Sequence, residues 1–289
     1  MHQVSIIIVN YNTCKITAEC IDSVFEKTKS IDFEVILIDN ASEDGSKEFF
    51  EKDSRIHYVY NNKNIGFGRA NNVGMQLAKG RYLFLLNSDT LLVNNAIKYF
   101  YDYAETHEKR AFYGCWLKNG DGKRVHSCAR IPCIKDLLYN SAYTCRKFFN
   151  KRASYFCEDM PYVEDKCVKT GYVTGADMFL HRSVYEEISG FDENIFMYYE
   201  DAEWQRRAKK QGIESFCING PEIVHLVGGS QTKKKWTSAK YECELNSKFY
   251  YVRKGNSLGK YLLFRFIFFI LEFPKIFLRN PLQAFKLLR

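Results

Sequence analysis

The stretch VSIIIVNYN, Val4 to Asn12, opens with an apolar run, Ile6 to Val9, that stops at Asn10, Asn12 and Thr13. Consecutive apolar residues without polar alternation fit a strand covered on both faces, as parallel sheets require, and the polar stop marks a loop at its carboxyl end. The pattern recurs along the chain. FEVILIDNASEDGS, Phe33 to Ser46, holds a second apolar strand, Val35 to Ile38, ending in Asp39. A third strand is expected at Ile56 to Tyr60, and RYLFLLNSD, Arg81 to Asp89, reads as a fourth. Between them the sequence predicts a helix capped by Thr13 that runs through Cys20 and Val24, a helix around Lys47 to Lys52, and a helix entered from the Gly/Asn-rich NNKNIGFGRANNVGMQLAKG. Strands alternating with helices over some ninety residues predict an α/β fold, a doubly wound, mostly parallel sheet flanked by helices. Ligands of such sheets bind outside the carboxyl ends of the strands. Asn10 and Asn12, Asp39 and Asn40, and Asn87 and Asp89 are therefore expected to converge.

From about Ala111 to Thr170 the pattern degrades into mixed loops and short amphipathic pieces, the kind of segment that supplies a second substrate's pocket. Order returns at VTGADMFLHRSVYEEISGFDE, Val173 to Glu193, and PEIVHLVGGS reads as a short strand ending at His225 with glycines behind it.

Between these lies FMYYEDAEWQRRAKKQG, Phe196 to Gly212. Acidic residues in its first turn, basic ones in its last and a terminal glycine complement a helix dipole. At about 100° per residue, however, Asp201 shares a face with Trp204 and Ala208, while Glu203 points the other way and is expected to pair with Arg207 on a wet surface. A carboxylate on an apolar face is retained mostly where it is paired, ligates a metal or does chemistry.

The 289 residues are 46% hydrophobic and 16% aromatic, enough for one large α/β domain with an appendage and too apolar for a disordered chain. Of the net charge of +8, residues 231–289 supply a surplus of 10, with 13 Lys/Arg against 3 Asp/Glu, so residues 1–230 carry −2. The basic tail LGKYLLFRFIFFILEFPKIFLRNPLQAFKLLR is rich in Phe and Leu, and its longest uncharged run, Phe266 to Leu271, is far short of the ~20 residues that span a bilayer. It is expected to form one or two interfacial helices broken near Pro274 and Pro281, with Lys and Arg available to anionic headgroups; packing on the protein's own core is the alternative. So dense an aliphatic and Phe content disfavours a nucleic-acid partner. Ten scattered cysteines without a C-x-x-C pair, and a start that leads straight into a strand, predict a reduced, cytoplasmic protein.

Single motifs have rivals. GFGRAN, Gly66 to Asn71, imitates a dinucleotide fingerprint, but Asn71 stands at the third glycine and the motif follows the third strand. Asn87-Ser88-Asp89 offers an oxygen ligand suited to Mg²⁺ or Mn²⁺, which His225 would complete, although a lone His near an apolar strand is more often a satisfied core residue.

In combination the motifs are specific. VSIIIVNYN, IDNASEDGS, NIGFGRANN, LNSDT, VTGADMFLHRSVYEEISGFDE, the YYED element and HLVGGS follow the order seen in family 2 glycosyltransferases with the GT-A fold, and the chain resembles their rhamnosyltransferase-like branch over about residues 3 to 255. The resemblance implies that Asn10, Tyr11 and Asn12 line the nucleotide pocket, that Asp39 contacts base or ribose, and that Asn64, Gly66 and Arg69 lie along the nucleotide. Asn87-Ser88-Asp89 occupies the D-x-D position, with Asn87 replacing the first acid; Asp89 and His225 would hold a divalent cation, Mn or Mg. Asp201 matches the catalytic base, preceded by Glu200, and Asp192 and Asp177 match positions near the acceptor. A basic residue after Gly229 would help with the diphosphate, and Tyr250, Tyr251, Arg253 and Lys254 resemble the family's basic ending.

The resulting expectation is a GT-A domain over residues 1–230, with an acceptor-side region at about 111–229, and membrane-associating helices over 231–289. Its function is inverting transfer of a sugar from dTDP-rhamnose or a UDP-hexose to a lipid-linked saccharide in surface polysaccharide synthesis, at the inner face of the cytoplasmic membrane. A catalytically silent sugar-nucleotide binder and a membrane adaptor are the rival classes.

Overall fold

A computed structural model of the chain describes residues 2–149, 167–226 and 238–279. In chain order its elements are β1 (Val4–Asn10), α1 (Cys14–Lys27), β2 (Phe33–Asp39), α2 (Ser46–Phe50), β3 (His57–Tyr60), α3 (Phe67–Leu77), β4 (Tyr82–Asn87), β5 (Thr90–Leu92), α4 (Ala96–Thr106), β6 (Ala111–Cys115), β7 (Cys128–Ala129) and α5 (Ile134–Phe149). They continue with β8 (Val168–Thr170), β9 (Tyr172–Val173), β10 (Asp177–His181), α6 (Arg182–Ile188), α7 (Glu200–Lys210), β11 (Glu214–Ile218), β12 (Ile223–His225), α8 (Ser238–Gly255) and α9 (Leu258–Arg279).

The chain forms two compact units, Met1–Arg130 with Asp159–Lys235, and Ile131–Glu158 with Trp236–Arg289. In the first, one sheet runs in the order β3-β2-β1-β4-β10-β6-β11-β8. Strands β3, β2, β1 and β4 are parallel. Strand β10 runs antiparallel to both β4 and β6, β11 is again parallel to β6, and β8 is antiparallel to β11. The apolar runs are buried because both sheet faces are covered. Ile6 and Ile8 pack into a core with α1 and α4, and Ile7 into a second core with α3 and α7.

Three expectations are corrected. The Ala111–Thr170 stretch contains β6, an inner strand whose five residues are all buried; AFYGC is too short and too interrupted by its glycine to register as a period. Thr13 does not cap α1 through its side chain, because its hydroxyl donates to Asn10 Oδ1 at 2.7 Å; Asp44 Oδ2 accepts from Cys14 N at 2.8 Å instead. Helix α9 is not broken at Pro274 but continues through it. Proline there removes one backbone hydrogen bond, while buried Phe268 and Ile276 anchor the turns on either side.

The second unit contains α5, α8 and α9, with α5 packed along α9, so residues 131–158 group with the tail and not with the acceptor-side region expected at 111–229. Tyr251 is buried in this unit, its hydroxyl donating to Pro132 O at 2.9 Å, and is not placed for headgroup contact. Residues 227–237 and 280–289, with Gly229 and Pro281, lie outside the described residues.

Candidate active site

Hydrogen bonds knit the carboxyl ends of the parallel strands together. Buried Asp39, at the end of β2, accepts from Ser42 N (2.8 Å), Tyr58 Oη (3.0 Å) and Asn10 Nδ2 (3.4 Å). Asn10, at the end of β1, also donates to Ser42 Oγ (3.0 Å), and its Oδ1 accepts from Thr13 (2.7 Å) and Thr17 (2.9 Å). Thr13 Oγ1 lies 3.4 Å from Ser88 Oγ, which carries the network to the end of β4. The side chains of Asn10 and Asp39 are thus turned into the protein, both at 0% exposure, and hold the loops instead of lining the pocket as expected. Tyr11, 47% exposed, and Asn12, whose φ of 55° the bond from its amide to Ser42 Oγ supports, are the residues that this framework presents outward.

Asn40, expected at the strand ends but given no role of its own by the sequence, is the hub of the next loop. Its amide donates to Asn64 Oδ1 (3.0 Å) and Gly66 O (3.2 Å), and its Oδ1 accepts from Asn61 Nδ2 (3.1 Å) and Ile65 N (3.3 Å). It pins the loop that enters α3. Asn64 Oδ1 also accepts from Gly66 N at 3.0 Å. Gly66 must be glycine, since its φ is +89° and a Cβ would lie 2.4 Å from Phe196 O.

That contact begins a clamp. Phe196 O accepts from Phe67 N (2.9 Å), Arg69 Nε donates to Glu193 O (2.5 Å), and Asn72 exchanges two bonds with the backbone of Phe191 (2.8 and 2.9 Å). Helix α3 thereby holds residues 191–196, the approach to the acidic segment. Arg69 is engaged with this approach, and Asp192 Oδ1 accepts from Asn194 N and Nδ2, both at 2.9 Å, as the cap of a turn. Tyr198 and Tyr199 then adopt φ of 72° and 67°, a left-handed conformation that is unfavourable for side chains of this size and is kept only where the surroundings impose it.

Glu200 and Asp201 follow. Burial, reinforced by the charge of Asp201, pushes the Glu200 carboxyl up to about 8, and its Oε2 has no hydrogen-bond partner. Half-buried Asp201 is also raised, chiefly by burial, against the pull of its bonds to the Ala202 and Gly175 amides and of nearby His126. In such a pair the protons belong to the pair. His126, 3.2 Å from Tyr172 Oη, is a neighbour of Asp201 that no motif announced.

The rest of α7 is structural. Trp204 and Ala208 are buried as expected. Glu203 does pair with Arg207 (3.0 Å) but not on a wet surface: Glu203 is 0% exposed, and Arg207 also bonds Ile188 O and Gly190 O, both at 2.5 Å. Gln205 was equally unforeseen. It exchanges bonds of 2.8 and 2.7 Å with the backbone of Val173 and accepts from Ser215 Oγ at 2.8 Å, fastening β9 and β11 to the helix. Asp177 is corrected: it is fully buried, its Oδ2 accepts from Cys115 N at 2.6 Å, and burial raises its carboxyl well above the usual range, so it offers no oxygen to an acceptor.

Asp89 and His225 meet because β5 and β12 pair antiparallel with His225 opposite Thr90. His225 Nε2 is 3.1 Å from Asp89 Oδ1 and 3.4 Å from Asn87 Nδ2. A carboxylate oxygen and an imidazole nitrogen at that spacing fit adjacent positions on one cation, whose ligands at about 2.1 Å stand roughly 3 Å apart. Among the described residues no third His, Cys, Asp or Glu joins them, so the remaining positions would fall to water or other oxygen ligands. Asn87 N donates to Ala176 O at 3.0 Å, and the Gly175 amide lies by Asp201, so residues 175–176 connect the start of the acidic helix with the end of β4.

The mostly parallel sheet with β10 inserted antiparallel is the GT-A architecture of glycosyltransferases. The chain is similar in fold to the mannosyltransferase PcManGT from Pyrobaculum calidifontis, solved with GDP-Man and Mn²⁺: TM-score 0.57, 16% identity, covering 88% of this chain and 64% of that one. The chain belongs to glycosyl transferase family 2, whose family model matches residues 5–159. It is 29% identical over 115 residues to the glycosyltransferase GlyG of Streptococcus pneumoniae, 38% of either chain. It is 22% identical over 236 residues to the rhamnosyltransferase WbbL of Escherichia coli, 78% of this chain and 84% of that one.

Proposed function

We propose that the chain is an inverting glycosyltransferase that moves a sugar from a nucleoside-diphosphate sugar to a hydroxyl of a lipid-linked saccharide in surface polysaccharide synthesis. One observation carries the reading: Asp201 stands half-buried beside the buried carboxyl of Glu200 and near Gly175, whose neighbour Ala176 accepts from Asn87 N at the strand end that bears Asn87, Ser88 and Asp89.

In this reading Asp201 takes the proton of the acceptor hydroxyl as its oxygen attacks the anomeric carbon. The role needs a reach of about 3 Å, and general-base catalysis of this kind contributes about 10²–10⁴-fold. A single base acting opposite the leaving group predicts inversion. Glu200, holding its proton, keeps a second negative charge away from the base. Asp89 and His225 would hold a divalent cation, which when bound offsets the charge developing on the leaving diphosphate. Tyr11 and Asn12 face the nucleotide, while Asn10, Asp39, Asn64 and Gly66 hold the loops around it. The name of WbbL favours rhamnose as the sugar moved, in line with the dTDP-rhamnose that the family resemblance implies, and the GDP-Man and Mn²⁺ of PcManGT favour a hexose on a nucleoside diphosphate with a divalent cation; a UDP-hexose is the second choice.

The deciding experiment is turnover of the full chain with a panel of sugar nucleotides, Mn²⁺ or Mg²⁺ and a lipid-linked acceptor extract. Asp201→Asn is expected to lower nucleoside diphosphate release by about 10²–10⁴-fold while retaining nucleotide binding. Equal release from both proteins would sink the mechanism.

A further inference from the structure

Helix α9 has two apolar faces. One lies inside its own unit: Phe264 and Phe268 are each 1% exposed, and the Phe268 ring packs 5.4 Å from that of Phe249. The other has no cover among the described residues. Leu262 (54%), Phe266 (63%), Ile270 (53%) and Phe277 (41%) are exposed, and at about 100° per residue they share a sector of roughly 80°, about opposite Phe264 and Phe268. Leu258 and Leu263, at 54% and 59%, extend the sector on either side. A helix that packs on one face of a soluble protein puts polar residues on the other, and a contiguous exposed apolar surface marks an interaction site.

The rims of this surface are basic. By the same helical geometry Lys260 lies beyond one edge and Arg265 beyond the other, the latter with its guanidinium 5.1 Å from the Phe249 ring. The whole of residues 231–289 carries 13 basic side chains against 3 acidic ones. A second copy of the chain would set these basic rims against their own counterparts. Anionic headgroups instead complement them, and the acyl boundary takes the apolar sector.

We infer that the outer face of α9 is a docking surface for an anionic bilayer. The helix lies in the plane of the interface, with Leu262, Phe266, Ile270 and Phe277 toward the acyl chains and Lys260 and Arg265 at the phosphates. Among the described residues no helix is long and apolar enough to cross a membrane, which agrees with lying flat. The inference deepens the reading of a lipid-linked acceptor and rests on that reading for its purpose, so binding and turnover are measured separately.

The full chain and the double variant Phe266→Glu/Ile270→Glu are floated with vesicles of phosphatidylcholine alone and of phosphatidylcholine and phosphatidylglycerol in equal parts. Both positions are exposed, and circular dichroism checks that the helices persist. The unaltered chain is expected to float with the anionic vesicles, less so at high salt, and the variant to lose about tenfold or more of that binding. Equal flotation of both proteins, or failure of the unaltered chain to float, overturns the inference. So does a dimer in solution that the variant abolishes without any vesicle binding, since a second copy would then be the occupant. Nucleoside diphosphate release in detergent is read in parallel: vesicle binding without release from either protein leaves the surface standing and removes the enzymatic reading.

Discussion

Glu200 and Asp201 are neighbours in sequence and share one environment, yet burial and their mutual repulsion separate their behaviour. Burial and the charge of Asp201 push the Glu200 carboxyl up to about 8, and Asp201 is itself raised, so the two titrate as a pair. The pH–rate profile is therefore expected to inflect near that value as Glu200 gains charge beside the base, and Glu200→Gln to remove the inflection; an unchanged profile would show that another group titrates there. Asp177 gives a stability prediction. Its folded pKa is raised, so the stability tied to its proton is complete below the ordinary aspartate range and is lost as pH climbs toward the raised value. Asp177→Asn keeps the acceptor for Cys115 N and removes the titration. Its melting temperature is expected to exceed that of the unaltered chain at about pH 8 by at least the 2–4 °C that roughly 1 kcal/mol produces in a domain of this size, and to converge with it only below about pH 4, under the ordinary aspartate range. An equal loss at both pH values would mean that Asp177 serves packing alone. At this scale helical phase was a partial guide: it set Asp201 on the apolar face, yet Asp201 is the half-buried acid of the helix, while Glu200 and Glu203 are 7% and 0% exposed. Glu203 was not legible, because what buries it is Arg207 reaching the Ile188 and Gly190 carbonyls, a contact that no local period encodes.

Helix α7 is held as a unit from several directions: Trp204 Nε1 donates to Ser189 O at 2.7 Å, Gln205 grips β9, and Arg207 spans Glu203 and the end of α6. Removing one partner of a buried pair costs more than the pair was worth, because the other charge is left uncompensated. Arg207→Met is thus expected to destabilise by about 3–5 kcal/mol, and Glu203→Met/Arg207→Met by less. Chemical denaturation of the two variants checks this; a double variant no more stable than the single one would place the cost in the carbonyl contacts of Arg207. Elements with a strong apolar run, β1, β2 and β4, were legible as strands. Strand β6 and the grouping of α5 with the tail were not, since both depend on what packs against a short or ordinary segment.

The whole molecule keeps its charge and its chemistry in different parts of the chain. Residues 1–230 are nearly neutral and contain the site, while the surplus of 10 positive charges and the open face of α9 belong to the tail. The sequence by itself determined the alternating α/β order, the polar residues at the strand ends, the acidic start and basic end of α7 and the basic, Phe-rich tail. Periodicity and composition are local properties, and each of these features is written locally. Only the tertiary structure decided that β10 enters the sheet antiparallel between β4 and β6, that Asn10, Asp39 and Asn40 turn inward to brace the loops, that Asp177 is sealed in the core, and that Asp89 meets His225 across the β5–β12 ribbon. Each of those joins residues far apart in the chain, and a hydrogen bond or a buried face exists only once its partner has been brought to it.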